Sequence, residues 1–245
     1  MPIRPFLIAL GLLTRIPVAL RRPPSDQELG RSVLAYPLVG LLLGAGLAGL
    51  ATLLPFWGVD LRAALLLAFW VWITGGLHLD GLADSADAWV GGMGSRERTL
   101  AIMKDVHSGP MAIVTLVLLL LIKYAAIKEL LMADQPWLLL VPPLLGRSAL
   151  LLLFLTLPYV RAQGMGSVAA AHLPKRGGWV MLGMIGSLDL FLRGIPGLRV
   201  WIIGLGVFSL LRLWMRQRLG GTTGDSAGAV CELLETVALV VLAGG

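Results

Sequence analysis

Seven stretches of this chain are apolar for long enough to cross a lipid bilayer, and no other feature restricts its fold as much. A membrane helix needs about 17–25 predominantly apolar residues. Windows of that kind read at residues 34–57, 62–79, 110–131, 136–158, 178–191, 197–215 and 226–243, and the fifth is short enough to leave the count at seven give or take one. With 57% hydrophobic and only 14% charged residues over 245 positions, a water-soluble domain has too little polar surface to cover so much apolar side chain. The expected fold class is therefore all-α: a polytopic integral membrane bundle of about seven transmembrane helices.

The first residues place Arg4 ahead of an apolar run, as a signal peptide does, but Arg15 and Pro17 interrupt it and no small-residue cleavage site follows. Residues 5–20 read instead as a retained interfacial helix, with Arg15 reaching toward headgroups, inside an N-terminal segment of residues 1–33. The single cysteine, Cys231, lies in the last window and excludes a disulfide framework. No internal repeat and no Ser/Pro-rich linker divides residues 1–245, so one membrane-embedded catalytic domain is expected.

Basic residues orient the bundle. With the N-terminus inside, fourteen fall on inner segments: Arg4, Arg15, Arg21, Arg22, Arg31, Arg96, Arg98, Lys104, Arg161, Lys175, Arg176, Arg212, Arg216 and Arg218. Only Arg62, Lys128, Arg193 and Arg199 fall outside, while Lys123 and Arg147 lie within spans. Insertion topology thus accounts for most of the net charge of +6, which removes the reason to expect a nucleic-acid partner. The same orientation puts every polar-rich loop on the cytoplasmic side.

The second window runs into Asp80, Asp84 and Asp87, spaced i, i+4, i+7, which a helix displays on one narrow face. Three carboxylates so close repel one another, and all-oxygen donors suit Mg²⁺ or a similarly hard ion. Asp225 opens the last window and, with Glu232 and Glu235, shares one helical face at i, i+7 and i+10. Two readings of the glutamates stand: extension of the acidic site, or structural pairing with Lys123 and Arg147. His78 precedes the acids by two residues and turns away from their face, so it enters as a candidate general base only.

Three inner segments depart from plain connectors: residues 80–109, 159–177 and 216–225. In the first, Ser95 caps a short helix carrying Arg96, Arg98 and Lys104, with Asp105 just beyond. In the second, Arg161 sits in a glycine-rich run that permits close approach to a ligand. The third, with Gly220, Gly221, Thr222 and Gly224, starts a helix whose backbone N–H groups suit an anion, although no Lys-Ser/Thr pair makes it a Walker loop. Carboxylates, basic side chains and glycine-rich turns on one side of a membrane bundle suit phosphoryl transfer. The tryptophans gather near span ends, as interfacial belts do.

Six motifs taken in order, LTRIP at 13–17, YPLVG at 36–40, GGLHLDGLAD at 75–84, RER at 96–98, MKD at 103–105 and GGTTGD at 220–225, resemble the cobalamin synthase family of adenosylcobinamide-GDP ribazoletransferases. The resemblance covers nearly the whole chain. It implies Mg²⁺-dependent transfer of the adenosylcobinamide-phosphate moiety from adenosylcobinamide-GDP to the ribose 3′-hydroxyl of α-ribazole or its 5′-phosphate, with GMP leaving. One departure is visible: where many relatives have Asp-Ser-Arg-x-Gly, this chain has Asp-Val-His-Ser-Gly at 105–109, which offers His107 in place of an arginine. On both lines together, Asp80, Asp84, Asp87 and Asp225 are the expected metal ligands. Asp84 or Asp225 is the expected base, and Arg15, Arg96, Arg98, Lys104, Asp105, Arg161, Gly220, Gly221, Thr222 and Gly224 are the expected substrate contacts. The partners expected are corrinoid nucleotide, α-ribazole, the bilayer and, in an open question of assembly, further copies of the chain.

Two rival classes share parts of the pattern. A membrane transporter would run ions past Lys123, Arg147, Glu232 and Glu235, but no inverted repeat is present and the charges collect on one side. A CDP-alcohol-type lipid phosphotransferase shares the metal logic, yet has an arginine where this chain has Asp84, and its full spacing is absent.

Overall fold

The computed structural model describes residues 3–105 and 107–244, with side chains at all of these except 195 and 196. Among them run eleven α-helices: α1 Ile3–Leu13, α2 Asp26–Ser32, α3 Tyr36–Leu53, α4 Val59–Thr74, α5 Leu77–Gly91, α6 Arg96–Ile102, α7 Pro110–Met132, α8 Val141–Thr156, α9 Met165–Ala171, α10 Lys175–Leu219 and α11 Gly224–Ala243. No strand occurs among the described residues, only a bridge between Tyr159 and Thr222.

Five helical stretches are long and apolar enough to cross a membrane: Asp26–Leu53, Pro110–Met132, Pro136–Thr156, Gly197–Leu219 and Gly224–Ala243. A sixth arises if α4 and α5, which meet at 88°, are taken as one broken span. Six lies within the expected seven give or take one, and the stretch outside this tally is residues 178–191. They are helical and run antiparallel to Gly197–Leu219, since Gly178 lies against Leu155 and Leu151 of α8, Gly204 against Leu145, and Arg212 bonds the Thr156 carbonyl. Lys175, Arg176, Asp189 and Arg193 leave them less apolar than the other spans. That stretch ends at a break in α10, where Gly194 takes φ 59° and ψ −140°. Asp189 accepts a hydrogen bond from Arg193 Nε (2.7 Å) on its own side of the break and one from Trp201 Nε1 (2.8 Å) across it.

The N-terminal helix is shorter than the sequence suggests and faces inward. It stops at Leu13, where Thr14 bonds back to the Leu10 carbonyl, and it buries Pro5, Ile8, Ala9, Leu10 and Leu13 against α2 and α3. Arg15 then lies along Gly75, its backbone N–H bonded to the Ile73 carbonyl at 2.7 Å, so it is tied to the α4–α5 corner instead of reaching for headgroups.

Backbone proximity sets the central packing. On α3, a Cβ at Gly40 would stand 2.2 Å from the Pro143 carbonyl oxygen, and one at Gly44 would stand 2.6 Å from Leu140 Cα. The small-residue pair four apart thus lets α3 seat directly on the chain entering α8, as membrane helices do where lipid offers no hydrophobic drive.

Mid-bundle, the ionisable residues close on one another. Lys123 Nζ lies 2.6 Å from a carboxylate oxygen of Glu232 and 2.6 Å from one of Glu235, and it stands 4.5 Å over the Trp70 ring. Arg147, fully buried, pairs with Glu235. Two cations and two carboxylates therefore balance one another in charge, which is the structural reading of both glutamates, while Arg147 Nε has no hydrogen-bond partner among the described residues. Removing one partner from such a network costs about 3–5 kcal/mol, because the survivor stays charged and buried.

Candidate active site

The site forms where α5 crosses the start of α11 with almost no side chain between them. A Cβ at Gly81 would lie 2.7 Å from the Asp225 carbonyl oxygen, and one at Gly228 would lie 3.2 Å from His78 Cα. α5 reaches that position because the chain turns through Gly75 and Gly76, both left-handed (φ 66° and 69°), with both N–H groups bonded to the Val71 carbonyl end of α4. α11 is fixed there by Thr223, whose hydroxyl accepts from the Ser226 N–H while the Ser226 side chain accepts from the Thr223 N–H.

This crossing brings the α5 aspartates and Asp225 together. Asp84 is within electrostatic reach of Asp80, Asp225 and Asp87, with Arg161 the cation among them. Arg161 Nη2 donates to Asp225 Oδ2 at 2.6 Å and to the Met103 carbonyl at 3.2 Å, while its Nε is buried with no partner among the described residues. Asp80 is exposed, and Asp84 is half-buried without a bonded partner among the described residues. Beside them opens a cavity of about 310 Å³, whose edge includes Asp80, Asp225 and Gly224 and whose walls include Leu13, Tyr36, His78, Leu150, Phe154 and Tyr159.

Asp87 does not join the other three. The Gly109 N–H donates to its Oδ2 at 2.5 Å and the Ala112 N–H donates to its Oδ1 at 3.0 Å, so both oxygens cap the start of α7. A carboxylate at a helix N-terminus is favoured by the orphan N–H groups and the helix dipole. Among the described residues no three acidic, histidine or cysteine side chains are gathered into a metal centre. What fits a hard divalent ion is the smaller donor set of Asp80 and the free oxygen of Asp225, with Asp84 beside them. Mg²⁺ is commonly held by one or two carboxylates together with substrate phosphates.

The remaining expected contacts divide. Thr222 is fully buried, its N–H bonded to the Pro158 carbonyl (2.9 Å) and its carbonyl to the Val160 N–H (2.8 Å). With Gly221, whose Cβ would meet the Pro158 carbonyl oxygen at 2.2 Å, it ties the 157–161 segment to α11 and presents no free group to an anion. Gly220 (φ 76°) ends α10, where Arg96 Nε bonds the Leu219 carbonyl at 2.7 Å. Arg98 and Lys104 are exposed near the same end of the bundle. Asp105 is exposed as well, and a hydrogen bond from the His107 ring, then one from its backbone N–H, hold its carboxyl below the usual carboxylate range. Of the anion contacts read from sequence, Gly224 and Arg161 reach the cavity or its acids, whereas Arg15, Arg96, Gly220, Gly221 and Thr222 hold the surrounding backbone. Tyr36 and Tyr159, which line the cavity, were not singled out as site residues, although Tyr36 opens the YPLVG motif and Tyr159 opens the inner segment 159–177.

Comparison with known proteins places this arrangement among enzymes. The family described as cobalamin-5-phosphate synthase matches residues 5–243. A protein of Pseudomonas fluorescens strain Pf-5 named adenosylcobinamide-GDP ribazoletransferase is 55% identical over 239 residues, covering 98% of both chains. Proteins of the same name from Pseudomonas entomophila and Pseudomonas aeruginosa are 53% and 52% identical, again over 98% of both chains. No solved structure matches the chain.

Proposed function

Because this chain belongs to the cobalamin-5-phosphate synthase family over residues 5–243, we propose that it is a membrane-embedded adenosylcobinamide-GDP ribazoletransferase. It moves the adenosylcobinamide-phosphate moiety from adenosylcobinamide-GDP to a hydroxyl of α-ribazole or its 5′-phosphate. The new bond joins the acceptor oxygen to the phosphorus that carries the cobinamide. The bond that breaks links that phosphorus to the bridging oxygen of the diphosphate, and GMP departs with that oxygen.

The observation that carries this reading is the meeting of Asp80 and Asp84 with the Asp225–Arg161 pair at the edge of an apolar cavity. Asp225 is held by Arg161, which leaves Asp84 as the carboxylate free to take the proton of the attacking hydroxyl. Arg161, with an unpartnered Nε, takes charge developing on the phosphate oxygens. Asp80, with the free oxygen of Asp225, would hold Mg²⁺, which when bound neutralises the diphosphate and eases departure of GMP. Asp87 instead keeps α7 in register with α5.

The site lies at the bundle end that carries the excess of basic residues, which supports an inner membrane with the active site facing the cytoplasm. Incubating detergent-solubilised protein with adenosylcobinamide-GDP, α-ribazole and Mg²⁺ tests the reading. GMP and a cobalamin product in equal amounts are expected, and the absence of both from well-folded protein overturns it.

A further inference from the structure

Apart from Asp80 and Asp225 at its edge, the cavity is a poor host for a diphosphate. Its walls are leucines, Phe154 and two tyrosine rings, so what enters deeply must be largely apolar and uncharged. Its one buried nitrogen-bearing side chain is His78, only 4% exposed. His78 Nδ1 stands 3.4 Å from Arg147 Nη2. A guanidinium has five N–H donors, no acceptor and a permanent charge. Nδ1 must therefore supply the lone pair, which puts the ring hydrogen on Nε2 and makes that nitrogen a donor. Arg147 is itself held by Glu235, and Glu235 by Lys123, so the tautomer is set by a chain of buried charges. Among the described residues nothing accepts from Nε2, which is not sealed from accessible space and so can meet a partner in the cavity.

We propose that this cavity is the acceptor subsite, and that His78 donates a hydrogen bond from Nε2 to the free ring nitrogen of the acceptor's heteroaromatic base. The inference rests on the ribazoletransferase reading, since ribazole is a benzimidazole riboside: a flat, uncharged base with one ring nitrogen that only accepts. Such a base fits against the edge-on Phe154–Tyr159 pair, with the ribose toward Asp80 and Asp225 at the cavity's edge, within reach of Asp84, which takes the proton of its hydroxyl. His78 then acts as a recognition donor and not as the base, and Arg147 is a positioning residue that acts through it.

The test pairs a substrate change with a side-chain change. Wild-type protein, His78→Ala and His78→Gln are assayed with benzimidazole riboside and with the indole analogue, whose ring CH replaces the accepting nitrogen. In the wild type the indole analogue should have a KM higher by about tenfold, the worth of one buried hydrogen bond. His78→Ala should show equal KM for the two acceptors at unchanged KM for adenosylcobinamide-GDP, and the donor amide of His78→Gln should restore most of the preference. In ¹⁵N NMR of the wild type, Nε2 should be the protonated ring nitrogen.

Three results each overturn the proposal: His78→Ala that still prefers benzimidazole by the wild-type factor, His78→Gln that loses kcat as fully as His78→Ala with acceptor KM unmoved, or a protonated Nδ1. Equilibrium binding of the two ribosides to wild type and His78→Ala needs no turnover. It therefore reads the subsite even if the wild type released no GMP, the result that would strike the functional reading instead.

Discussion

Replacing Gly81 with alanine adds one methyl group at the helix crossing that assembles the site. That Cβ would stand 2.7 Å from the Asp225 carbonyl oxygen and 2.9 Å from Asp225 Cα, where ordinary contact begins at 3.4 Å. Both obstructing atoms belong to the backbone, so no rotamer change relieves them, and α5 must part from α11 by about 0.7 Å at this point. Overpacking of this kind costs about 1–3 kcal/mol, offset by roughly 0.5–1 kcal/mol from replacing a helical glycine. The net loss of stability should therefore be small. Catalysis should suffer more, because Asp80 and Asp84 move with α5 while Asp225 moves with α11. A misplacement near 1 Å costs roughly 100-fold in rate, so Gly81→Ala should lower kcat by roughly 30- to 100-fold. The assay is GMP release at saturating substrates from purified protein, alongside thermal unfolding in the same detergent. Gly46→Ala on α3, where nothing lies within 4 Å of the added Cβ, is the control and should leave both readings unchanged or slightly raise stability. A Gly81→Ala protein with wild-type kcat would refute the claim that this contact sets the distance between the acids.

Asp84→Asn should remain inserted and folded but lower kcat by at least roughly 100-fold, as loss of a general base does, in the same GMP assay. Asp87→Asn should instead act on the α7 cap, lowering stability by about 1 kcal/mol while kcat falls far less than in Asp84→Asn; equal losses in the two variants would return Asp87 to the metal site. Lys123→Met leaves Glu232 and Glu235 without their shared cation and should destabilise by about 3–5 kcal/mol. In thermal unfolding, adding Glu232→Gln to Lys123→Met should recover part of that loss. Chelation with EDTA should stop turnover and Mg²⁺ restore it, and Asp80→Asn should raise the Mg²⁺ concentration needed for half-maximal rate.

What the sequence conveys and what it conceals divides along physical lines. Lipid admits only backbone that satisfies itself, so the spans follow from runs of apolar residues, and the run at 178–191 is the weakest because charges shorten it. The one-face arrangement of Asp80, Asp84 and Asp87 is legible because α5 is an unbroken helix across all three. The division of labour among them is not. Asp87 is claimed by backbone N–H groups of Gly109 and Ala112, more than twenty residues away, and backbone donors leave no mark in a side-chain pattern. The 88° corner is marked by Gly75 and Gly76, but two adjacent glycines announce a turn without its angle. The pairing of Lys123 with Glu232 and Glu235 was one of two readings open to the sequence, and tertiary contact decides for it. The acceptance by His78 Nδ1 from Arg147 joins positions 69 residues apart and has no local signature.

The central claim is that carboxylates from two helices act as one unit on one diphosphate, and a double-mutant cycle in kcat between Asp84→Asn and Asp225→Asn tests it most directly. Residues that work as a unit are strongly non-additive, so the double variant should be hardly slower than the slower single variant. If the two losses instead multiply in full, Asp84 and Asp225 contribute independently and the account of a shared site is wrong.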